Sequence, residues 1–129
     1  MNLLLDTHVF IWALADPSRL DRRVLAALAS WEHQIFVSAV TPWEIAIKQA
    51  SGRLRFPLEH FDNIVDHMGS DILPILPAHG IKAGALPRHH NDPFDRMLIA
   101  QALTEDLILV TNDQDILRYN VPVFGASTS

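Results

Sequence analysis

The sequence contains no cysteine. Thiolate metal ligation, a cysteine nucleophile and a disulfide framework are therefore excluded, and the reducing cytoplasm is the expected compartment. Long apolar runs are also lacking. The longest spans only a few residues, against the roughly 20 needed to cross a bilayer, and Met1-Asn2-Leu3 has no basic secretory head. No membrane association is expected. Positive charge is scarce as well: 10 Lys and Arg stand against 15 Asp and Glu, for a net charge of −5. That balance argues against nucleic acid as a partner, because phosphate binding usually appears as a basic excess. What the chain does have is 49% apolar residues over 129 positions. A chain of this size can bury about two-thirds of its unfolded surface without covalent staples. Its prolines are scattered and no repeat or linker is visible, so a single domain over residues 1–129 is expected.

Short apolar runs alternate with stretches of helical periodicity. Leu3-Leu4-Leu5, Ile35-Phe36-Val37, Ile72 to Leu76 and Leu107 to Val110 suit buried strands, and Val121 to Phe124 suits an edge strand because it contains Pro122. Helices are expected over Val9 to Ala15, through Val24, Leu25, Leu28 and Trp31, over Pro42 to Ala50, Leu58 to Met68 and Asp95 to Leu103, with a short one over Ala78 to Leu86. Strands buried on both faces and alternating with helices indicate an α/β domain with a mainly parallel sheet.

In such sheets ligands bind beyond the carboxyl ends of the strands. Asp6 ends the first strand and Thr111-Asn112-Asp113 ends the fourth, so two carboxylates share one rim if those strands are neighbours. Each also reads as a cap: Asp6 for a helix starting near His8, Asp113 for a short helix starting near Gln114. Thr41-Pro42-Trp43-Glu44 and Asp92-Pro93-Phe94-Asp95 both have a capping residue, proline at the first helical position and an acid at the third. Singly, each is a helix start. Helices that follow the strands of a parallel sheet begin at its carboxyl edge, so Glu44 can point back at the strand-end aspartates. Asp95 joins them only if its helix begins at that rim. Four converging carboxylates would repel by several kcal/mol in a partly dry cleft. A hard cation such as magnesium or manganese would neutralise them and activate water against a phosphate.

Leu4-Leu5-Asp6-Thr7-His8, Ser38 through Ile45, Asp92-Pro93-Phe94-Asp95-Arg96-Met97-Leu98-Ile99-Ala100-Gln101-Ala102 and Leu109 through Asp113 together resemble the PIN-domain family, and more narrowly its VapC-type toxins. The resemblance runs over nearly the whole chain, and Asp-Pro-Phe-Asp-Arg is its most specific piece. It implies a PIN-like three-layer sandwich: a five-stranded, mainly parallel sheet flanked by helices. It further implies a cytoplasmic endoribonuclease that holds one or two Mg2+ or Mn2+ ions and hydrolyses RNA by metal-activated water, leaving a 3′-hydroxyl and a 5′-phosphate. The family's four acids map onto Asp6, Glu44, Asp95 and Asp113, and Thr111 matches a position that helps arrange metal-bound water. The implied partners are a VapB-like antitoxin, received on the early helices, and a second copy in a homodimer.

Asp92 and Asp115 lie close to these acids as a cap and a solvated neighbour, either able to support the metal through water. Arg88, His89 and His90 read as surface loop or as rim residues touching substrate phosphate. Arg96 reads equally as a local ion pair or a phosphate contact. Lys48, Arg53 and Arg55 form a looser basic group, either solvated or the start of an RNA track. Two other functions compete with the nuclease. A haloacid-dehalogenase-like phosphatase needs a second Asp where this chain has His8, and a catalytically inactive interaction module would not need all four acids. Setting those acids aside leaves the remaining chain near −1. RNA would then be held by the cation and a few rim residues, with modest dependence on salt.

Overall fold

The computed structural model describes residues 1–125. Five strands, β1 (Asn2–Leu5), β2 (Gln34–Ser38), β3 (Asp71–Leu73), β4 (Ile108–Val110) and β5 (Val123–Phe124), form one sheet in the order β3-β2-β1-β4-β5. Every pairing is parallel. The connecting helices are α1 (Thr7–Ala15), α2 (Arg22–Ala29), α3 (Val40–Ala50), α4 (Phe61–His67), α5 (Pro77–Ala85) and α6 (Pro93–Glu105). The last four residues of the expected domain lie outside the described region.

Strand alternation explains why there are helices on both faces. Leu3 and Leu5 point to one side of β1 and Leu4 to the other, and all three are buried. Leu3 and Leu5 join Ile35, Val37, Val9, Phe10, Val24 and Val65 in a core beneath α1, α2 and α4. Leu4 joins Leu109, Leu98, Ile99, Ala102 and Ile116 in a second core beneath α6. The result is three layers, as the α/β reading expects. β1 pairs with β2 on one side and β4 on the other, so the chain reverses its winding direction at β1–β4. A crevice opens at such a point, beyond the carboxyl ends of the strands.

Several boundaries differ from expectation, each for a local reason. α2 stops at Ala29 because the Ser30 hydroxyl accepts the Glu32 amide at 3.1 Å, and this side-chain turn competes with helix. Trp31 consequently lies outside the helix and fully exposed. β3 ends at Leu73 because Pro74 has no N–H for the ladder. The stretch expected as one helix over Leu58 to Met68 is a 3₁₀ turn, Leu58–His60, leading into α4. Thr41 is not the cap of α3. The helix already begins at Val40, whose amide donates to the Ser38 hydroxyl at 3.0 Å, and the buried Thr41 hydroxyl has no hydrogen-bond partner.

Candidate active site

The β1–β4 crevice is built by the residues that end those strands. The Asp6 amide donates to the Val110 carbonyl at 3.1 Å, extending the parallel ladder by one step. Its carboxylate then turns over the start of α1: Oδ1 accepts the Val9 amide at 2.9 Å, and Oδ2 accepts the Thr111 hydroxyl. Asp6 is thus a helix cap and a rim acid at once. Thr111 is fully buried, and its hydroxyl also accepts the Asp113 amide at 3.0 Å, so one side chain joins the first acid to the fourth. Asp113 Oδ1 accepts the Asp115 amide at 2.8 Å, which starts the turn before the 3₁₀ segment Ile116–Arg118. Burial pushes the Asp6 carboxyl above its ordinary pKa. The Thr111 and Val9 hydrogen bonds oppose that shift, and the Asp113 charge adds to it.

Glu44 reaches the crevice from the first turns of α3 and is buried. Its Oε1 accepts the Thr7 hydroxyl at 2.6 Å, and its Oε2 pairs with Lys48 Nζ at 2.8 Å. Asp92 caps α6 by accepting the Phe94 and Asp95 amides, both at 2.9 Å. The cap starts the helix at Pro93 and brings the Asp95 carboxylate to the rim. There Asp95 meets His90 at 3.1 Å.

The acids act on one another electrostatically. Desolvation is the main cause that pushes the Asp95 carboxyl up to about 7, and the Asp92 charge comes next. The His90 hydrogen bond opposes the shift, while Asp113 and Glu44 add smaller upward contributions. Among the described residues, no three acids or histidines stand close enough to hold a metal ion in their present rotamers. The donor set nevertheless suits a hard cation. All four acids offer carboxylate oxygens, and the like charge that adds to the burial-driven rise of Asp95 is what a divalent ion relieves. Glu44 keeps free lone pairs beside its Thr7 and Lys48 contacts for such an ion.

A pH dependence follows for the metal-free protein. With its folded pKa near 7 and its ordinary value at 3.8, Asp95 holds a proton in the folded state that the unfolded chain has released across that window. Stability from this group is therefore fully present below about pH 4 and is lost as pH rises through 7. Asp95→Asn should make the protein more stable than wild type by about 1–2 kcal/mol at pH 7.5 in EDTA, after discounting for partial solvent access. The advantage should shrink toward zero near pH 4, as read by urea unfolding. A gap of the same size at both pH values would contradict it.

The remaining expected residues divide clearly. Arg96 makes no ion pair among the described residues. Its guanidinium donates to the carbonyls of Ala83, Leu86 and Pro87 and to the Tyr119 hydroxyl, which commits it to the end of α5. His89 packs edge-on against Tyr119, with ring centroids 4.8 Å apart, and Arg88 is exposed. Asp115 is half exposed and pairs loosely with Arg118 at 3.6 Å. Thr7 and Lys48 both hold Glu44, a pairing that the motifs did not indicate. The spacing of Glu44 and Lys48, four apart on one helix, was the available signal for the second. A cavity of about 470 Å³ lies at the other end of the strands beside Asn2, Gln34 and Trp31, away from these acids.

Residues 3–122 match the PIN-domain family model. The chain is 32% identical over 127 residues to ribonuclease VapC22 of Mycobacterium tuberculosis, an alignment covering 94% of each protein. Among solved structures it resembles VapBC2 of Rickettsia felis bound to a DNA fragment from their promoter, with a TM-score of 0.71 and 17% identity, covering 98% of this chain and 100% of the other. It also resembles DNA-bound VapBC of Salmonella typhimurium, with a TM-score of 0.71 and 15% identity over 97% and 98% of the two chains. These likenesses match the five-stranded architecture described above.

Proposed function

The chain belongs to the PIN-domain family, and from that premise we propose that it is a metal-dependent endoribonuclease, the toxin of a VapBC-like toxin–antitoxin pair. The observation that carries the reading is that the acids act on one another beyond the carboxyl ends of β1 and β4: the Asp113 charge raises both Asp6 and Asp95, and Glu44 adds to the rise of Asp95. These four residues would hold one or two Mg2+ or Mn2+ ions. When bound, such an ion acidifies water and balances charge on a phosphodiester.

The protein's own groups do the positioning. Thr111 fixes Asp6 and the Asp113 backbone together, and Thr7 holds one oxygen of Glu44. Lys48, beside Glu44 and partly exposed, would meet a substrate phosphate oxygen. Asp92 acts through the helix start it caps, and Asp115 through its amide on Asp113. Arg88 and His89 remain available at the rim for RNA. The expected product is RNA with new 5′-phosphate ends. Mapping 5′ ends after incubating RNA with the purified chain tests this, and the absence of discrete new ends would count against it.

We assign the VapB-like antitoxin to the apolar groove of about 350 Å³ between α1 and α4, lined by Leu14, Asn63, Ile64, His67 and Met68. Ile64→Glu would bury a charge under the partner. It should weaken capture of the antitoxin by tenfold or more, on the order of the 2 kcal/mol or greater expected at an interface anchor, with RNA cleavage by the chain alone unchanged. Unaltered capture in a co-purification assay would move the antitoxin elsewhere. The homodimer needs a different apolar surface, and exposed Trp43 and Ile47, one turn apart on α3, supply one. No helix among the described residues is long and apolar enough to cross a membrane, and a cytoplasmic location suits the proposed substrate.

A further inference from the structure

We propose that His90, Tyr119 and Arg96 form a positioning relay that fixes the Asp95 carboxylate and thereby strengthens divalent-cation binding at the acid cluster. This rests on the metal-site reading above and assigns the histidine and arginine a task other than phosphate contact. Four hydrogen-bonding groups close a ring across three segments of chain. Arg96 Nη1 lies 3.0 Å from the Tyr119 hydroxyl, that hydroxyl lies 2.7 Å from His90 Nδ1, and His90 Nε2 lies 3.1 Å from Asp95 Oδ2. Asp95 and Arg96 are neighbours in sequence, so the last member of the ring adjoins the first.

The chemistry of the groups fixes the direction of the relay. A guanidinium can only donate, so the phenol oxygen accepts from Arg96. The phenol proton then points to its nearest acceptor, Nδ1, at 2.7 Å, in preference to the His90 carbonyl at 3.5 Å. With Nδ1 accepting, the ring proton of a neutral imidazole sits on Nε2 and is donated to Asp95. One oxygen of Asp95 is thereby held, while Oδ1 accepts no hydrogen bond from the described residues and remains for a ligand.

The relay is buried and anchored. Tyr119 is 6% exposed, and the His90 and Asp95 side chains are 12% and 14% exposed. Arg96 also donates to the carbonyls of Ala83, Leu86 and Pro87 where α5 ends, so its own position is set by backbone. A carboxylate oriented in this way loses less rotamer freedom when it takes up an ion. Hydrogen-bond partners behind metal ligands commonly alter affinity by about 10–100-fold.

The test is calorimetric titration of Mn2+ into the full chain and three variants, with thermal unfolding in EDTA measured alongside. His90→Ala should raise the Mn2+ Kd about tenfold or more, and Tyr119→Phe about fivefold. His90→Gln should recover at least half of the His90→Ala loss on a logarithmic scale, because its amide Nε2 can donate to Asp95 in place of the imidazole. A merely structural role would lower the unfolding temperature and leave the Kd of the folded protein unchanged. The relay is overturned if folded His90→Ala or Tyr119→Phe binds within twofold of wild type, or if His90→Gln binds no better than His90→Ala. Wild-type protein that takes up no Mn2+ would instead sink the metal-site reading itself, and the relay with it.

Discussion

Asp6→Asn should reduce RNA cleavage by at least about a thousandfold, the scale set by removing charge from a group that organises the reacting centre, while leaving the fold in place. The two halves of that expectation come from different atoms. Asn retains an oxygen to accept the Val9 amide and is as good a helix cap as Asp. The change does remove the acceptor for the Thr111 hydroxyl and puts an amide there instead, which costs about 1 kcal/mol. Relief of the burial that pushes the Asp6 carboxyl up offsets part of that cost. Net stability should therefore change by no more than about 1 kcal/mol. What is lost is the formal charge at the meeting point of β1 and β4. Single-turnover cleavage with Mn2+ and urea unfolding of the same preparations separate these effects. A folded Asp6→Asn protein that cleaves within tenfold of wild type would remove Asp6 from the site.

The largest stability effect should come from Phe10→Ala, at about 3–5 kcal/mol. Phe10 is completely buried on the inner face of α1, and its ring packs against Phe56 and Phe61 with centroids 5.7 and 5.6 Å away. It lies in the core that holds α1 over Leu3 and Leu5. Truncation removes the apolar transfer free energy of the ring and leaves a hole that the strands on one side and α4 on the other cannot both close. Total stability of a domain this size is about 5–15 kcal/mol, so the variant should unfold at much lower urea. Leu117, 44% exposed, serves as the control, since Leu117→Ala should stay within about 0.5 kcal/mol. Equal midpoints for the two variants would contradict the assigned core.

The elements easiest to read in the sequence were those governed by local chemistry. Leu3-Leu4-Leu5 followed by Asp6 reads as a buried strand ending at a rim, and the structure pairs that strand with both β2 and β4. The acidic cap and proline of Asp92-Pro93 mark the start of α6 in both. The same logic failed at Thr41, because the Ser38 hydroxyl captures the Val40 amide and starts the helix two residues sooner. A capping pattern shows that a helix starts nearby, but it cannot rank two hydroxyls competing for the first amides.

The site was legible as a set of acids but not as a set of partners. Whether Asp95 reached the rim depended on where α6 starts relative to β1 and β4, a tertiary fact that spacing does not carry. Arg96 looked like a phosphate ligand or an ion pair, yet its four acceptors lie on residues 83, 86, 87 and 119, of which three are backbone carbonyls invisible to any motif. Thr7 sits beside the first acid in sequence, but its bond crosses to Glu44, 37 residues away. These contacts form only when the sheet brings the ends of β1, β2 and β4 together.

The scarcity of positive charge bears directly on how RNA would be bound. Burial, with smaller contributions from neighbouring acids, raises Asp6 and Asp95 beyond the ends of β1 and β4. A cation there would turn the feature that opposes RNA into the one that receives it. The most direct measurement is therefore the rate of RNA cleavage by the purified chain in EDTA, followed by addition of Mn2+ in excess. The account predicts that cleavage stops in EDTA and returns with the metal, and that Asp6→Asn is inactive under both conditions. Cleavage that continues undiminished in EDTA would contradict it.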